Sequence, residues 1–515
     1  MRVIYRDRRL VYSAALILIL GLFGQVKGAV LSARSASLSD VSAAVASAKD
    51  GDTVEVPAGT ASWPATLTIA KAITLQGAGE GRTVILDDLP KNGSNVIIQA
   101  SRDKFYRLTG FDFRSGDRAT KSMKGCVLVV GTCKAVRIDH CRFNRVHNRC
   151  IFLRNAICGV IDHCTFITNT GGAITIFHDA WDGKSWGDGS WATPIEWGGP
   201  SAIYIEDNDF SSDNSTHLHG IMDEYAGARF VFRYNTVKNG VIASHGTGST
   251  GRNRGVRQWE IYDNRFTFDP ATSGNAMHLR GGTGVVFDNT VVGISEFLTL
   301  HTYRYHTAFP RWSGSDGTCN WDLNDDKVYT SGIGGNGSGI GRNGAGGKLV
   351  VPNAGWSANQ WVGYTVRNLD GLSNIQPSSS KGAGPGPFFS AVVANTSDTI
   401  LLEAGSQQPN KIFAPGDHFE IRKVRQSLDM IGASTGDLLS GKAPAPRWLN
   451  QQIEPVYIWN NNFDGRANAG MATAPDTPIK EGVHFINNKT KPGYKPFRYP
   501  HPLVSEGFSS TAVAK

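Results

Sequence analysis

Short apolar stretches separated by polar and glycine-rich turns run along most of this chain, a pattern that predicts strands rather than helices. One exception lies near the N-terminus, where residues 39–49 form an amphipathic stretch that predicts a helix capped by Ser39 or Asp40 and ended by Gly51. Strands are predicted soon after it, at residues 53–56, 67–69, 73–75 and 84–86. A helix in this position would cover the open edge and the core at the end of a stack of strands.

A motif of the form apolar-x-(Asp/Asn/Tyr)-Asn-x-(apolar/Thr) recurs along the chain. Its Asn positions are Asn208, Asn235, Asn264, Asn289, Asn461 and Asn488, and two earlier copies carry Cys141 and Cys164 there. Uninterrupted copies are 23 to 29 residues apart, which fits one turn of a three-sheet parallel β-helix. Stacked amides at a turn hydrogen-bond along the stack, which explains why Asn recurs. The sequence therefore predicts an all-β solenoid.

Two segments interrupt the repeat. The step from Cys164 to Asn208 is nearly double, and its extra residues form a loop that contains Trp181, Trp186, Trp191 and Trp197. From about residue 324 to 424 the repeat is replaced by glycine-rich sequence and short apolar stretches typical of antiparallel strands, before it resumes at Val456. We therefore predict a β-helix at residues 29–325, a glycine-rich loop and small inserted β module at 326–425, and C-terminal β-helix turns with a tail at 426–515.

Residues 1–28 are predicted to be an export signal, because a basic start precedes a short apolar stretch, with small residues Val26 and Gly28 at a cleavage site. The alternative, an uncleaved anchor, is disfavoured because the apolar stretch is too short to span a bilayer. No later segment is apolar enough to cross a membrane, so we expect a secreted protein, extracellular or periplasmic. The remaining 47 basic and 43 acidic residues give a net charge of +4, which is compatible with an anionic polysaccharide and too weak to indicate nucleic-acid binding. A monomer is expected.

Six cysteines follow the same period, in pairs 24, 25 and 23 residues apart that would lie on adjacent coils: Cys126/Cys150, Cys133/Cys158 and Cys141/Cys164. Each pair is close enough to form a disulfide in an exported protein, or else consists of inward-facing thiols packed as small apolar residues. The sequence leaves both alternatives open. Cys319 has no partner of this kind, and no pair of cysteines has the spacing of a metal site.

The N-terminal segment, with DGDTVEVPAGT and LTIAKAITLQGAG after the helix, resembles the start of the pectin-lyase-like superfamily. This resemblance implies a right-handed parallel β-helix that acts on a polysaccharide. The IDHC stretches at 138–141 and 161–164 are similar to one in pectate lyases, but the Trp that precedes it there is Arg137 here, and their RxPxxR segment has no counterpart. Of the polygalacturonase motifs only residues 244–246 weakly resemble one. The resemblance thus carries over the fold and no catalytic residue.

Alignment of the strands that follow the Asn turns predicts an outward-facing column of side chains that becomes ionisable on four consecutive coils. Its members are Glu224, His245, Arg280 and His301, with Arg154 two coils earlier. Asp223, His219, His278, Tyr303 and Arg304 are expected close to the column. Carboxylates, imidazoles and guanidinium groups in one cluster shift one another's pKa values, which is common in active sites.

Two chemistries fit this column. A polysaccharide lyase needs a base, a proton donor and a cation: His245 or His301, Tyr303 and Arg280 would supply them. A glycoside hydrolase needs two carboxyl groups at a set separation, and Glu224 lacks a second one because the adjacent Asp223 would face the opposite way. The lyase acting on a uronate-containing polysaccharide is therefore favoured. The further alternative is a non-catalytic glycan-binding or adhesive surface protein.

Substrate binding is expected from residues around the catalytic column. These are His278, Arg304, Arg154, Trp181, Trp186, Trp191 and Trp197. Aromatic faces stack on sugar rings, although packing of some of these Trp residues on the solenoid fits the sequence equally well.

A weak metal motif follows at Asp322, Asn324 and Asp326, whose oxygen ligands stand at alternate positions as at the start of many calcium loops. The Gly and the terminal Glu that complete such a loop are missing, so a polar surface turn is favoured. The sequence requires no cofactor and admits only calcium.

Overall fold

The computed structural model describes residues 28–89, 93–117, 124–146, 149–168, 172–212, 220–246, 253–301, 320–322, 328–339, 346–362, 364–370, 388–402, 413–422, 424–427, 429–435, 451–470, 472–473, 479 and 481–505. The predicted export signal therefore lies outside the described residues except for Gly28. Within the described part of the chain, no helix is long and apolar enough to cross a membrane.

Twenty-nine strands form one continuous, almost entirely parallel network that winds as a solenoid with three sheets. The first sheet consists of Val30–Ser32, Thr53–Val56, Thr74–Gly77, Tyr106–Thr109, the ends of Val127–Asp139 and Ile151–Asp162, Ile203–Glu206, Arg229–Arg233, Gln258–Tyr262, Thr283–Phe287, Val456–Trp459 and Phe485–Asn487. The second consists of Gly59–Trp63, Thr83–Asp87, Asp112–Ser115, Arg142–Asn144, Thr165–Thr168, Asp209–Ser212, Thr236–Lys238, the beginnings of Arg265–Leu279 and Thr290–Leu300, and Asn462–Phe463 with its antiparallel partner Arg466–Ala467.

The third sheet carries the candidate site. It consists of Leu67–Ile69, Val96–Ala100, the beginnings of Val127–Asp139 and Ile151–Asp162, Ile174–Phe177, Gly220–Glu224, Val241–Ser244, the ends of Arg265–Leu279 and Thr290–Leu300, and Ala472–Thr473. Every strand pairs with its equivalents on the neighbouring coils, so one position forms a vertical column of side chains. The predicted fold class, a right-handed parallel β-helix, is confirmed.

The N-terminal helix is present but starts earlier than predicted. It spans Leu38–Ser47, and the hydroxyl of Ser37, rather than Ser39 or Asp40, accepts the capping hydrogen bond from the Asp40 N–H. Val41 and Val45 are buried against the first coils. The helix thus covers the apolar end of the solenoid.

The Asn repeat forms a hydrogen-bonded ladder at the turn between the first and second sheets. Each amide Nδ2 donates to the Oδ1 of the next residue, at 3.1, 3.1, 3.0 and 3.0 Å along Asn208, Asn235, Asn264, Asn289 and Asn461. The residue before each of these Asn residues has a positive φ, which Asp and Asn tolerate well. The ladder passes directly from Asn289 to Asn461, so strands Thr290–Leu300 and Val456–Trp459 belong to consecutive parts of one coil, and the insertion lies between these two strands.

The predicted place of Asn488 in this ladder is wrong. Strand Phe485–Asn487 pairs with residues 456–458, and Asn487 lies opposite Ile458. In this register Asn488 lies two residues away from the position opposite Asn461. Asn488 therefore lies outside the column that Asn461 ends.

The inserted module has its own antiparallel sheet of six strands. In spatial order they are Val328–Ile333, His418–Arg422, Thr365–Asn368, Phe388–Asn395, Thr399–Leu402 and Lys348–Val350. A separate apolar cluster that includes Leu349, Trp361 and Ile421 packs this sheet. Two short antiparallel pairs, Asn320–Asp322 with Val424–Ser427 and Ala433–Thr435 with Gln451–Ile453, join it to the solenoid.

Stacked side chains fill the solenoid. Phe113, Phe143, Phe166 and Phe210 form a stack along the second sheet with ring centroids 5.2, 5.2 and 4.7 Å apart. The six described cysteines occupy the predicted adjacent coils as buried free thiols. Burial in apolar surroundings raises the pKa of Cys133 to about 11, so these thiols act as small apolar residues.

Candidate functional site

The predicted column exists on the third sheet, but Glu224 does not belong to it. An irregularity between Gly220 and Met222 shifts the strand by one residue, so Glu224 pairs with Ser244, and Tyr225 is level with His245. The pairing of the next coils places Arg280 and then His301 at the same level. The column is therefore Tyr225, His245, Arg280 and His301.

Glu224 faces the interior and is fully buried. Its Oε2 accepts a hydrogen bond from the Ile176 N–H, whereas its Oε1 is buried and has no hydrogen-bond partner among the described residues. Burial raises the pKa of Glu224 well above its ordinary value of 4.5, and the charge of Asp223 adds to the effect. A one-residue shift reverses the face of every side chain in a strand, so the predicted outward orientation of Glu224 is wrong.

The shift brings Asp223 to the outer face, where it contacts two members of the column. His245 Nε2 lies 2.9 Å from both carboxylate oxygens of Asp223, and Arg280 Nη2 lies 3.9 Å from Oδ1. Burial acts to raise the pKa of Asp223, but the hydrogen bond and charge of His245, with the charge of Arg280, outweigh it and hold the pKa below 3.8. Asp223 is therefore an anion that orients the imidazole of His245.

Arg280 is held in place by Ser244 on the preceding coil. Its Nε donates to the Ser244 carbonyl oxygen at 2.9 Å, and its backbone N–H donates to the Ser244 hydroxyl at 2.9 Å. The side chain is 12 % exposed. The guanidinium is thus fixed near Asp223 with part of its surface open to solvent.

His278 and His301 form a second pair on the same face, with ring centroids 5.7 Å apart. Burial, followed by the positive charge of Arg280, lowers the pKa of each to about 4. Both imidazoles are therefore neutral at neutral pH, and each is a weaker base than an unperturbed histidine.

Aromatic and basic side chains extend the column toward the N-terminal end. Phe177 forms a parallel β-bridge with Tyr225, and the centroids of their rings are 5.6 Å apart. The rings of Tyr225 and His245 form a T-shaped pair with centroids 5.0 Å apart. Arg154 is level with Phe177 on the preceding coil and forms an ion pair with Asp179. The predicted position of Arg154 beside the column is consistent with this geometry.

Most of the tryptophan loop packs on the solenoid instead of facing a ligand. Trp181 and Trp191 are buried, and the indole N–H of Trp191 donates to the Gly255 carbonyl oxygen at 2.8 Å. Trp197 donates to Glu454 at 2.9 Å, and Lys491 lies 4.4 Å above its ring. Trp181 and Trp191 therefore act as packing residues, Trp197 is engaged by the C-terminal segment, and the substrate-binding role expected of them stays a prediction.

Trp186 is the exception, because 47 % of it is exposed. Its φ of 69° is in the left-handed region, which costs a non-glycine residue about 1–2 kcal/mol. Its carbonyl oxygen accepts the Arg254 N–H at 3.0 Å. The next residue, Gly187, has a φ of 91° and packs so closely that a Cβ atom there would stand 2.6 Å from the Ala226 carbonyl carbon. The backbone after Trp186 is thus held close to Ala226, while the indole of Trp186 remains exposed.

Several predicted residues lie outside the described part of the chain. These are His219, Tyr303, Arg304, Cys319, Asn324 and Asp326. Of the predicted calcium motif, only the backbone of Asp322 is described, in strand Asn320–Asp322. Among the described residues, no three His, Cys, Asp or Glu side chains are grouped so that they could hold a metal ion.

Sequence reasoning missed Tyr225 and Arg149. Tyr225 was hidden by the shift at Gly220, which no residue pattern marks. Arg149 precedes a third-sheet strand, and burial lowers its pKa although the charges of Glu224 and Asp223 act against this. Its proximity to those carboxyl groups depends on stacking across coils, and the sequence gives no signal of it.

Comparison with solved structures finds distant neighbours, two of which are polysaccharide lyases. No protein-family model matches the sequence, and no curated protein matches it. A PL6-family polysaccharide lyase from Pseudopedobacter saltans is 16% identical, with a TM-score of 0.36 over 53% of this chain and 65% of that chain. A mutant of the PL6-family alginate lyase AlyGC is 15% identical, with a TM-score of 0.28 over 54% of this chain and 45% of that chain. The matched region spans less than two thirds of either neighbour, so the activity of this chain has to be inferred from its own side chains.

Proposed function

We propose that this protein is a secreted polysaccharide lyase that cleaves a uronate-containing chain by β-elimination. The observation that carries the proposal is the Asp223–His245–Arg280 cluster on the outer face of the third sheet. It combines an oriented imidazole with a fixed guanidinium, and both are open to solvent. A base and a cation side by side are what proton abstraction next to a carboxylate requires.

In the proposed reaction, His245 takes the proton from C5 of the uronate. The electrons of the C5–H bond form a C4=C5 double bond, and the C4–O bond to the leaving sugar breaks. The leaving oxygen takes a proton from a donor, for which Tyr225 is placed beside His245 and Tyr303 remains a second candidate. The products are a new hydroxyl end and a sugar with a 4,5-unsaturated uronate.

Arg280 would neutralise the substrate carboxylate as negative charge develops on it. A guanidinium fixed before the reaction stabilises such charge without reorganising during it. His301 is the alternative base, but its pKa of about 4 makes it a weak one. Trp186 and Arg154 would bind sugar rings and carboxylates on either side of the cleaved bond. Calcium at residues 322–326 is not needed for this scheme.

A glycoside hydrolase receives less support. It requires a protonated carboxyl group that reaches the glycosidic oxygen. Among the described residues of the site, the pKa of Asp223 is lowered by His245, and Glu224, whose pKa is raised, is buried away from the outer face. Neither can act as the general acid.

The test is to incubate the purified full chain with a panel of uronate polysaccharides and neutral glycans. A lyase gives products with the ultraviolet absorbance of a conjugated double bond, from uronate chains only. New reducing ends without this absorbance would mean hydrolysis and would contradict the proposal. Retained binding without cleavage of any glycan would favour the binding protein, for which exposed Trp186 is the supporting feature.

A further inference from the structure

Three arginine side chains, Arg229, Arg254 and Arg257, are fully buried between the solenoid and the tryptophan loop. Arg254 and Arg257 both contact Trp191, with Cζ 4.9 and 5.1 Å from the ring centroid. A buried guanidinium is costly unless a carboxylate or several neutral acceptors satisfy it. The three residues differ in this respect.

Two of them are satisfied. Arg254 makes two hydrogen bonds to the Asp429 carboxylate, at 2.7 and 2.6 Å. Arg229 donates to four neutral oxygens, namely the Ser190 hydroxyl and the carbonyls of Ser190, Thr193 and Pro194, at 2.6 to 3.1 Å. The Asp429 carboxylate thus neutralises Arg254, whereas neutral oxygens of the loop satisfy the hydrogen-bond donors of Arg229.

Arg257 is not satisfied in either way. Its Nε and Nη1 are buried and have no hydrogen-bond partner within the part of the chain that the structure describes. The nearest acidic side chains are occupied, since Asp429 binds Arg254, and Glu454 accepts from Trp197 and from Lys491 at 3.3 Å. Burial and the positive charge of Arg229 lower the pKa of Arg257 to about 9. The lowered pKa is consistent with too little negative charge around this guanidinium.

We propose that Arg257 binds a small inorganic anion, a halide such as chloride, inside the wall of the solenoid. An anion there would receive hydrogen bonds from the buried guanidinium and offset its charge and that of Arg229, which has only neutral acceptors. The class is a monovalent halide because the anion must lose its hydration shell in a closed site, which costs a divalent phosphate or sulfate far more. This inference is independent of the proposed lyase activity.

The anion would stabilise a segment next to the candidate site. Val256 N–H donates to the His245 carbonyl oxygen at 2.8 Å, and Arg254 N–H donates to the Trp186 carbonyl oxygen at 3.0 Å. Residues 254–257 therefore connect the anion site to the backbones of His245 and Trp186. Loss of the anion is expected to loosen this segment first.

The test uses the full chain in two measurements. Crystals soaked in bromide should show an anomalous scattering peak within contact distance of the Arg257 guanidinium. The melting temperature is measured at constant ionic strength while chloride or bromide replaces methanesulfonate. It should rise and then saturate with halide concentration, by about 2 °C at a concentration 100 times the dissociation constant.

Arg257→Met should abolish the halide dependence, because it keeps the contact with Trp191 and removes the charge. Arg466→Met is the matched control, since Arg466 also lies over an aromatic ring, Phe463 at 4.9 Å, but is exposed. Absence of the bromide peak would overturn the proposal, as would a peak with no halide dependence in the wild type, which would mean an adventitious ion only. If Arg257→Met does not fold, the two wild-type measurements decide.

Discussion

Asp223 and Glu224 are neighbours in sequence, yet their carboxyl groups lie on opposite sides of the solenoid wall. Asp223 is 43 % exposed and holds His245, whereas Glu224 is fully buried and bonds only to the Ile176 N–H among the described residues. The two pKa values are shifted in opposite directions, lowered for Asp223 and raised for Glu224. One strand thus places one carboxyl group on the outer face and one in the core.

Glu224→Gln should stabilise the protein at neutral pH and leave its activity intact. The folded-state pKa of Glu224 lies above 4.5, so its contribution to stability is fully present below about pH 4.5 and is lost as the pH rises through the folded-state pKa. The neutral amide does not lose this contribution. Chemical denaturation should therefore show little difference between wild type and variant near pH 4.5, and a growing advantage of the variant toward pH 7. Glu55→Gln, at an exposed position, is the control and should show no such trend.

Inactivation by Glu224→Gln, with the fold retained, would contradict this prediction. It would return Glu224 to the candidate catalytic residues and favour the hydrolase.

His245→Ala should lower turnover on a uronate polysaccharide by about 100-fold or more, the usual effect of losing an acid–base group. Asp223→Asn should give a smaller loss, because asparagine keeps a polar contact but no longer stabilises the imidazolium. His140→Ala is the matched control, since His140 is also exposed and bonds an aspartate, Asp139 at 2.8 Å, but lies at the turn between the first and second sheets.

If His301→Ala lowered turnover as much as His245→Ala, this result would count against His245 as the base. Initial rates from product absorbance and circular dichroism spectra of all variants separate lost chemistry from lost folding. Equal activity of His245→Ala and wild type would exclude His245 as the base.

Asn235→Ala should destabilise the protein by about 1–3 kcal/mol, the cost of leaving buried polar groups unpaired. The amide Nδ2 of Asn235 donates to the carbonyl oxygens of Ile205 and Arg233, and its Oδ1 accepts the Asn208 N–H. Thr236→Ala, exposed on the same coil, should change stability far less. Urea denaturation of both variants is the measurement, and equal midpoints would mean that the ladder contributes nothing.

The fold was predictable because the solenoid repeats its stabilising interactions. One Asn per coil at a turn and a period in the twenties are visible in the sequence, and the ladder from Asn208 to Asn461 follows from them. The candidate site was only partly predictable. His245, Arg280 and His301 occupy the expected column, but the irregularity at Gly220 that exchanges Glu224 for Tyr225 depends on how two coils pair.

The tryptophan loop shows the same limit of sequence reasoning. Four Trp residues in a polar loop fit a sugar-binding surface and a packed loop equally well. What decides in favour of the packed loop is the set of buried arginines such as Arg254 and Arg257, which come from another coil and lie against Trp191. Contacts between residues so far apart in sequence leave no local pattern.

Trp186→Ala and Trp191→Ala should therefore have opposite consequences. Trp186 is exposed, and its neighbour Gly187 packs against Ala226, so removal of the indole should weaken binding of a uronate oligosaccharide by about 2–10-fold, the range of one aromatic contact, and change stability by about 0.5 kcal/mol or less. Trp191 is buried beneath two guanidinium groups, so Trp191→Ala should cost about 3–5 kcal/mol of stability. Isothermal titration calorimetry and chemical denaturation of both variants measure these effects. Unchanged affinity in Trp186→Ala would show that the backbone strain at this residue serves something other than sugar binding.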